Sequence, residues 1–323
     1  MASGRAIATA GIVVVGLAGA GGYAALRSGI GPLPDPEGCT ASVGSHSVAL
    51  SIDQAQNASI IAAVAERRDL PARAISIAMA TAYQESKLQN LASGDRDSLG
   101  LFQQRPSQGW GTAQQVMDPY YAANAFYDAL VKVDGYTTME ITQAAQAVQR
   151  SAYPEAYADN EADGRTIASA FSGYSEAAFT CVVPAEPVSG DTQRADGLTP
   201  RADAVRRDLN QAFGDLVLGG FAPGGVSTGH VTGSTHYKGK AIDVFFRPIS
   251  ADNTRRGWAV AQYLVANAKR LHVSHVIFDK RIWSGGDQSA AGWRDFNPAL
   301  TGKESTATRA ILEHRDHVHV EVT

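Results

Sequence analysis

The sequence predicts a multidomain protein with a mainly α-helical first half and an α+β second half. At 323 residues the chain is longer than one ordinary hydrophobic core requires, so about two domains are expected. Apolar residues recur at helical spacing over much of the first half. Segments of alternating or β-branched residues join the helical ones in the second half, and such segments are typical of strands.

The chain begins with a long uncharged segment. Residues Ala6 to Leu26 lie between Arg5 and Arg27 and are numerous enough to cross a bilayer. We therefore expect residues 1–30 to act as a membrane anchor or signal segment and the protein to be extracytoplasmic, either anchored or secreted. Ala18-Gly19-Ala20 is only a weak cleavage site, so anchor and cleaved signal stay open and we favour a retained anchor. The symmetric flanking charges do not orient the segment. The proline-rich residues 31–38 predict a stiff spacer.

The first predicted domain spans residues 39–181 and is bracketed by the two cysteines of the chain, Cys39 and Cys181. In an oxidising compartment two such thiols are expected to form a disulfide. Helix signals between them start at Asp53, Pro71 and Asp118-Pro119.

Residues 182–199 lack any apolar period and are rich in Pro, Gly, Ser and Asp, so they predict an exposed linker. The second predicted domain spans residues 200–323. Its predicted helices are Pro200 to about Phe213 and Arg255 to Leu271, and its predicted strands are Lys240 to Phe246, Val273 to Phe278 and His317 to Val322.

The charge pattern indicates whether a nucleic acid is a plausible partner. The formal net charge is -4, and no Lys/Arg run of the kind that follows a phosphate backbone is present. We therefore expect no nucleic-acid partner.

The first candidate site combines Glu85-Ser86 at the end of a predicted helix with Gly100-Leu101-Phe102-Gln103 after an acidic turn. This pair resembles the motif of lytic transglycosylases and goose-type lysozymes, in which Glu-Ser precedes Gly-Leu-Met-Gln at similar spacing. The resemblance covers about residues 50–170 and implies a lysozyme-like domain. A glycosidic oxygen leaves readily only when it is protonated, so Glu85 is the candidate general acid.

A second carboxylate would decide between two glycan mechanisms. A hydrolase normally uses two carboxylates, whereas a lytic transglycosylase uses one acid/base residue and a hydroxyl of the substrate. Asp95 and Asp97 are the possible second group, but ordinary turn chemistry also explains them, and we favour the single-acid mechanism. Asp97 and Gln103 remain candidate substrate contacts.

The third motif of this family is altered here. The family has an Ala-Tyr-Asn run where this chain has Ala145 to Tyr153. Gln149 or Tyr153 is the candidate replacement for the missing substrate contact.

The second candidate site combines two distant histidine-containing segments. In a strand, His317, His319 and Glu321 share one face. Far upstream, His236 and Asp243 lie in the segment from Ser234 to Asp243. Two His and one Asp from separate segments make a three-ligand zinc site with the fourth position open, which is the catalytic arrangement.

The pattern Ser-x-His-x-x-Gly-x-Ala-x-Asp with a distal Asp-His-x-His resembles zinc D-Ala-D-Ala carboxypeptidases and L-Ala-D-Glu endopeptidases. The resemblance covers about residues 200–323 and implies an α+β zinc peptidase domain with a central antiparallel sheet. It places Zn²⁺ on His236, Asp243 and His319.

The same resemblance places a base near the last ligand. Asp316 holds the family's base position, with His314 and His317 as rivals. The Arg that often precedes the first ligand is missing, so Arg281 is the candidate for the substrate carboxylate. Ser234 is a further candidate substrate contact.

Together the two resemblances predict an exported peptidoglycan hydrolase that cleaves glycan strands and stem peptides, similar to bifunctional cell-wall hydrolases of actinobacteria. The alternative is a catalytically decayed peptidoglycan-binding or scaffold protein of a cell-envelope or conjugation apparatus. A zinc assay discriminates between them, because a binding module needs no open metal position.

Overall fold

The computed structural model describes residues 36–151 and 154–323. Gly38–Thr323 form one compact unit. The predicted membrane segment and most of the spacer lie outside the described residues, as does Tyr153. Within the described part of the chain, no helix has both the length and the apolar character needed to span a membrane.

Residues 38–182, here called the helical half, contain mostly helices and one small sheet. The elements in order are β1 (Gly38–Val43), β2 (His46–Leu50), α1 (Ile52–Arg67), α2 (Ala72–Ser86), a 3-10 turn (Pro106–Gln108), α3 (Ala113–Val116), α4 (Pro119–Leu130), α5 (Ile141–Gln149), a 3-10 segment (Pro154–Asn160), α6 (Glu161–Phe171) and β3 (Phe179–Val182).

Two helix starts show how local sequence sets the boundaries. Helix α1 begins after Ser51 rather than at Asp53, because the Ser51 hydroxyl accepts from the Gln54 amide while the Gln54 side chain accepts from the Ser51 amide. Asp118 caps α4 as predicted, accepting from the amides of Tyr120 and Tyr121.

The predicted disulfide is present between Cys39 and Cys181. These residues face each other on β1 and β3, which pair in an antiparallel sheet of order β2-β1-β3. These strands were not predicted from the sequence, although Cys39, Ala41 and Val43 alternate with polar residues along β1. They are only four to six residues long, which leaves few positions over which an alternation can be recognised. The disulfide thus joins two strands that the hydrogen-bond ladder already holds together.

Residues 200–323, here called the sheet half, contain a six-stranded antiparallel sheet of order β4-β5-β9-β6-β7-β8 and the helices around it. Its elements are α7 (Pro200–Phe213), β4 (Leu218–Gly219), a 3-10 turn (Thr235–Lys238), β5 (Ala241–Phe245), α8 (Ala251–Ala266), α9 (Ala268–Leu271), β6 (Val273–Phe278), β7 (Arg281–Ser284), a 3-10 segment (Gly286–Ala291), β8 (Arg294–Asp295), α10 (Thr306–Leu312) and β9 (His317–Val322).

The mixed α+β character of the chain is therefore confirmed, and the predicted strands that become β5, β6 and β9 are present. The predicted helix over Arg255 to Leu271 starts earlier, at Ala251, and is interrupted at Asn267. The buried Asn267 side chain donates to the Tyr263 carbonyl and to the Ser59 hydroxyl of α1, which favours a break at this point.

Helix α8 also joins the two halves. Arg255 donates to Glu66 of α1 and to the Ser172 carbonyl, each at 2.8 Å. The buried Gln262 side chain donates to the Ala170 carbonyl at the end of α6. The intervening residues 183–199 form neither helix nor strand, yet Leu198 is fully buried in the core. This segment is thus packed against the fold in part rather than exposed throughout.

Candidate functional site

Helix α2 carries Glu85 at its C-terminal end, next to the turn that contains the Gly-Leu-Phe-Gln segment. The Ser86 hydroxyl donates to the Leu101 carbonyl at 2.7 Å and thereby ties the helix to this turn. Leu101 and Phe102 are fully buried and anchor the turn in the core. Gly100 has φ +78°, and a Cβ there would overlap the Val116 carbonyl oxygen. The two motif segments that the sequence paired are therefore in direct contact.

The Glu85 carboxyl is partly buried and has uncharged partners. Burial raises its pKa, and hydrogen bonds from Tyr157 and Gln149 oppose that effect only in part. The Tyr157 hydroxyl donates to Glu85 Oε1 at 2.6 Å. Gln149 also donates to the Phe102 carbonyl at 2.7 Å, so it links α5 to both motif segments. This environment favours a carboxylic acid that keeps its proton.

Tyr157 was not among the residues predicted from the sequence. The altered third motif was sought between Ala145 and Tyr153, whereas the Tyr that contacts Glu85 lies further on, in Ala156-Tyr157. The Ala-Tyr pair was the available signal. Gln149, one of the two suggested replacements, does contact Glu85, and Tyr153 lies outside the described residues.

Asp97 is engaged within its own turn. Its carboxylate accepts from Arg105 Nε at 2.6 Å and from the Ser107 amide at 2.8 Å. Hydrogen bonds from the Ser107 hydroxyl and amide and from Arg105 hold its pKa well below its usual range. Asp95 is exposed and lies 3.9 Å from Arg96. Gln103 donates to the Gly100 carbonyl and packs against Gly94. Both Asp97 and Gln103 thus have structural contacts that account for them.

The sheet half brings the second set of predicted residues together. Strands β5 and β9 pair so that Asp243 lies directly opposite His319. His236 lies on the 3-10 turn that precedes β5, where the Ser234 hydroxyl accepts from its amide. All three side chains are buried.

The three donor atoms form a small triangle. His319 Nδ1 lies 2.9 Å from Asp243 Oδ1, and His236 Nε2 lies 3.1 Å from His319 Nδ1 and 3.2 Å from Asp243 Oδ1. In a tetrahedral zinc site with bonds of about 2.0–2.1 Å, the ligand atoms lie roughly 3.3 Å apart. The triangle is therefore close to the size that a zinc ion requires.

Outer contacts orient both imidazoles. His236 Nδ1 lies 2.8 Å from the Gly220 carbonyl, which can only accept, so the lone pair of Nε2 faces Asp243. A Cβ at Gly220, where φ is +80°, would overlap the His236 ring. His319 Nε2 lies 3.1 Å from Glu321 Oε1. Glu321 in turn contacts His275 and accepts from Thr235.

The electrostatics of this cluster favour positive charge between its carboxylates. Burial opposes ionisation of Asp243, yet hydrogen bonds from His236 and His319 hold its pKa well below its usual range. Burial likewise opposes the charged form of His319, but contacts with Asp243 and Glu321 raise its pKa to about 9. One carboxylate, that of Asp243, and two imidazoles converge on one point, while Glu321 lies on the outer side of His319. Carboxylate and imidazole ligands of this kind are found at divalent metal sites.

His317 is the next side chain on the same face of β9. Its Nδ1 lies 2.7 Å from Asp316 Oδ1, and its Nε2 lies 3.7 Å from Asp243 Oδ1. The other Asp316 oxygen accepts from Arg247 Nε at 2.6 Å. Both oxygens of Asp316 are therefore engaged, and His317 Nε2 is the atom that faces the cluster.

His314 lies against His317, with ring centroids 4.6 Å apart. Its Nδ1 lies 3.1 Å from the Leu312 carbonyl, and burial lowers its pKa to about 3. Burial thus favours the neutral form of His314.

These residues lie in an open cleft of about 550 Å³ that Ser234 also lines. Arg281 does not line this cleft. It pairs instead with Asp295 of the neighbouring strand β8 at 2.6 Å, which corrects its assignment as the residue that binds the substrate carboxylate. Arg247 lines the cleft instead. Arg247 could not be predicted from the sequence, because only the folded sheet places the end of β5 beside Asp316.

His230 was set outside both motifs but lies at the cluster. Its ring stacks on that of His236 with centroids 3.9 Å apart. His230, His236 and Asp243 form a group that could hold a metal ion, since one ligand atom from each lies within 4.8 Å of the others. The set with His319 is tighter, because its longest edge is 3.2 Å.

Residues 194–307 match the sequence model of a family described as VldE, C-terminal domain. The match covers less than half of the chain. It includes His236 and Asp243 and ends before β9. The sheet half is thus similar to this family up to its last strand. A comparison with curated proteins found no match.

Proposed function

We propose that the protein is an exported peptidoglycan-degrading enzyme with two active sites. In this proposal Glu85 cleaves glycan strands as a single general acid/base, and the cluster around Asp243 binds Zn²⁺ and cleaves stem peptides. The two sites would act on the two covalent components of one polymer, and the N-terminal segment would deliver the protein to it.

The donor triangle of His236, Asp243 and His319 carries the proposal. Its edges of 2.9–3.2 Å suit zinc, and its two imidazoles are oriented by the Gly220 carbonyl and by Glu321. The adjoining cleft is open, as binding of an extended substrate requires. A structural zinc site would be closed by a fourth protein ligand.

Of the three candidate bases, His317 is best placed. Its Nδ1 faces the ionised Asp316, which can only accept, so Nε2 is the atom that would take a proton from water in the cleft. Asp316, which the sequence favoured as base, becomes the residue that orients His317. Zn²⁺, when bound, would supply Lewis acidity that polarises the peptide carbonyl and favours ionisation of water.

The glycan reaction would depend on the proton of Glu85. A carboxyl whose pKa is raised by burial stays protonated at higher pH and can donate to the glycosidic oxygen. The engagement of Asp97 by Arg105 and Ser107 favours the single-acid mechanism over one with two carboxylates.

The test is mass spectrometry of products released from purified peptidoglycan. The zinc-loaded protein should release anhydro-sugar ends and cleaved stem peptides, and a chelator should abolish only the peptide products. His317→Ala should retain about one zinc per chain and lose peptide cleavage by about a hundredfold or more. Binding of peptidoglycan without any product would replace the proposal with the scaffold alternative, and normal peptide cleavage by His317→Ala would return the base to Asp316 or His314.

A further inference from the structure

Arg247 occupies a distinctive position in the cleft of the sheet half. It follows strand β5, which carries Asp243, and its guanidinium lies over the Phe245 ring at 4.2 Å from Cζ to the centroid. Its Nε donates to Asp316 at 2.6 Å. These two contacts fix the planar group beside His317, and about half of its side chain remains exposed.

The remaining donors of Arg247 are available to a ligand. Among residues 36–151 and 154–323, none is hydrogen-bonded to its Nη1 or Nη2 atoms, and it is the one Lys or Arg among the described residues that line the cleft. The carboxylates of the cleft are already engaged: Asp243 and Glu321 by histidines, and Asp316 by His317 and Arg247. A guanidinium in this state binds a carboxylate through parallel N–H groups.

We propose that Arg247 binds a carboxylate of the peptide substrate next to the bond that is cut. The inference rests on the proposed peptidase function and adds to it a substrate class, peptides with a carboxylate near the scissile bond. That carboxylate is either the free C-terminus, which makes the enzyme a carboxypeptidase, or the carboxylate of an internal acidic residue, which makes it an endopeptidase.

The test uses full-length, metal-free protein, so that binding is measured without cleavage. The probes are a synthetic stem pentapeptide ending in D-Ala-D-Ala with both carboxylates free, the same peptide with a C-terminal amide, and the same peptide amidated at its internal glutamate. Titration calorimetry should show wild type binding the free peptide about tenfold to a hundredfold more tightly than one of the amides. The amide that loses affinity identifies the carboxylate.

Arg247→Ala should bind the three peptides equally within about twofold, and Arg247→Lys should keep part of the discrimination because it keeps the charge. The matched control is Arg281→Ala, since Arg281 is also half-exposed and 2.6 Å from an aspartate but lies outside the cleft lining. It should behave as wild type. Circular dichroism and zinc stoichiometry on reloading confirm that each variant is folded.

Equal binding of all three peptides by wild type, no measurable binding, or discrimination retained in Arg247→Ala would each overturn the proposal. A residue that acts only by orienting Asp316 and His317 would lower kcat for every peptide and leave the discrimination unchanged. Discrimination without cleavage by the zinc-loaded protein would leave the role of Arg247 standing and refute the peptidase function. Cleavage by the zinc-loaded protein without discrimination among the peptides would refute the role of Arg247 and leave the peptidase function standing.

Discussion

Glu85 is partly buried and Asp243 is buried, yet the pKa values of their carboxyl groups move in opposite directions. Burial raises the pKa of Glu85, whose hydrogen-bond partners are the uncharged Tyr157 and Gln149. Burial acts the same way on Asp243, but hydrogen bonds from His236 and His319 outweigh it and lower the pKa. The charge of the neighbours, rather than burial alone, decides whether a carboxyl suits proton donation or metal binding.

The comparison predicts that isosteric amide substitutions at the two carboxyls have separate and large effects. Glu85→Gln removes only a proton donor and should reduce glycan cleavage by about 10² to 10⁴-fold while zinc content and peptide cleavage stay normal. Asp243→Asn removes a charged ligand and should lose zinc and peptide cleavage together. Zinc stoichiometry and product analysis of both variants are the measurements.

The assignment of separate roles to Glu85 and Asp243 would be wrong if either substitution had the effect expected of the other. Loss of zinc in Glu85→Gln, or full zinc content with normal peptide cleavage in Asp243→Asn, would show that the two carboxyls do not have the separate roles assigned here. Asp97→Asn is a further check. Loss of glycan cleavage in that variant without loss of folding would restore the mechanism with two carboxylates.

A smaller effect, on the free energy of unfolding, is expected from a substitution where the helical half meets the sheet half. Arg255→Ala removes the cation that is hydrogen-bonded to the partly buried Glu66 and leaves only the charge of Arg256 acting on it, and burial already raises the pKa of Glu66. Breaking a buried ion pair typically costs 3–5 kcal/mol, and we expect about 3 kcal/mol because this pair is partly exposed. Since Arg255 and Gln262 connect the halves, urea unfolding should show one transition that moves as a whole.

The neighbouring Arg256 provides the control for that measurement. It acts on Glu66 through its charge alone and its residue is exposed, so Arg256→Ala should change the free energy of unfolding by no more than about 0.5 kcal/mol. Two separate transitions, of which only one responds to Arg255→Ala, would indicate that the halves unfold independently and would support the predicted linker at residues 182–199 as a domain boundary.

The sequence predicted those parts of the sites that depend on local periodicity. Alternation along residues 317–322 predicted strand β9 and the shared face of His317, His319 and Glu321. The pairing of Asp243 with His319 joins residues 76 positions apart, and only the motif resemblance suggested it in advance.

The contacts that the sequence missed are made by residues outside the motifs. Tyr157 reaches Glu85 from a separate segment, and Arg247 reaches Asp316 from the end of another strand. His275 meets Glu321 across the pairing of β6 and β9. Apart from the Ala156-Tyr157 pair, these positions carry no local pattern that distinguishes them from surface residues. Their roles follow from register and packing, which the hydrophobic period alone does not specify.

The smallest predicted effect concerns the hydroxyl that modulates Glu85. Burial and the adjacent Glu85 raise the pKa of Tyr157, so its O–H stays protonated and donates to the Glu85 carboxylate, which lowers the pKa of Glu85. Tyr157→Phe removes that donor, and the pKa of Glu85 should rise. Glycan cleavage needs the protonated acid and is lost as pH rises through this pKa, so the alkaline limb of kcat/KM should move to higher pH.

The maximal rate of Tyr157→Phe should change by about tenfold or less, since one hydrogen bond is lost and the acid remains. Tyr127→Phe is the matched control, because that buried hydroxyl donates to the Ile61 carbonyl rather than to Glu85. Its pH profile should equal that of wild type. An alkaline limb that stays in place or moves to lower pH in Tyr157→Phe would contradict the assignment, because the donor would then not be acting on the acid that limits the reaction.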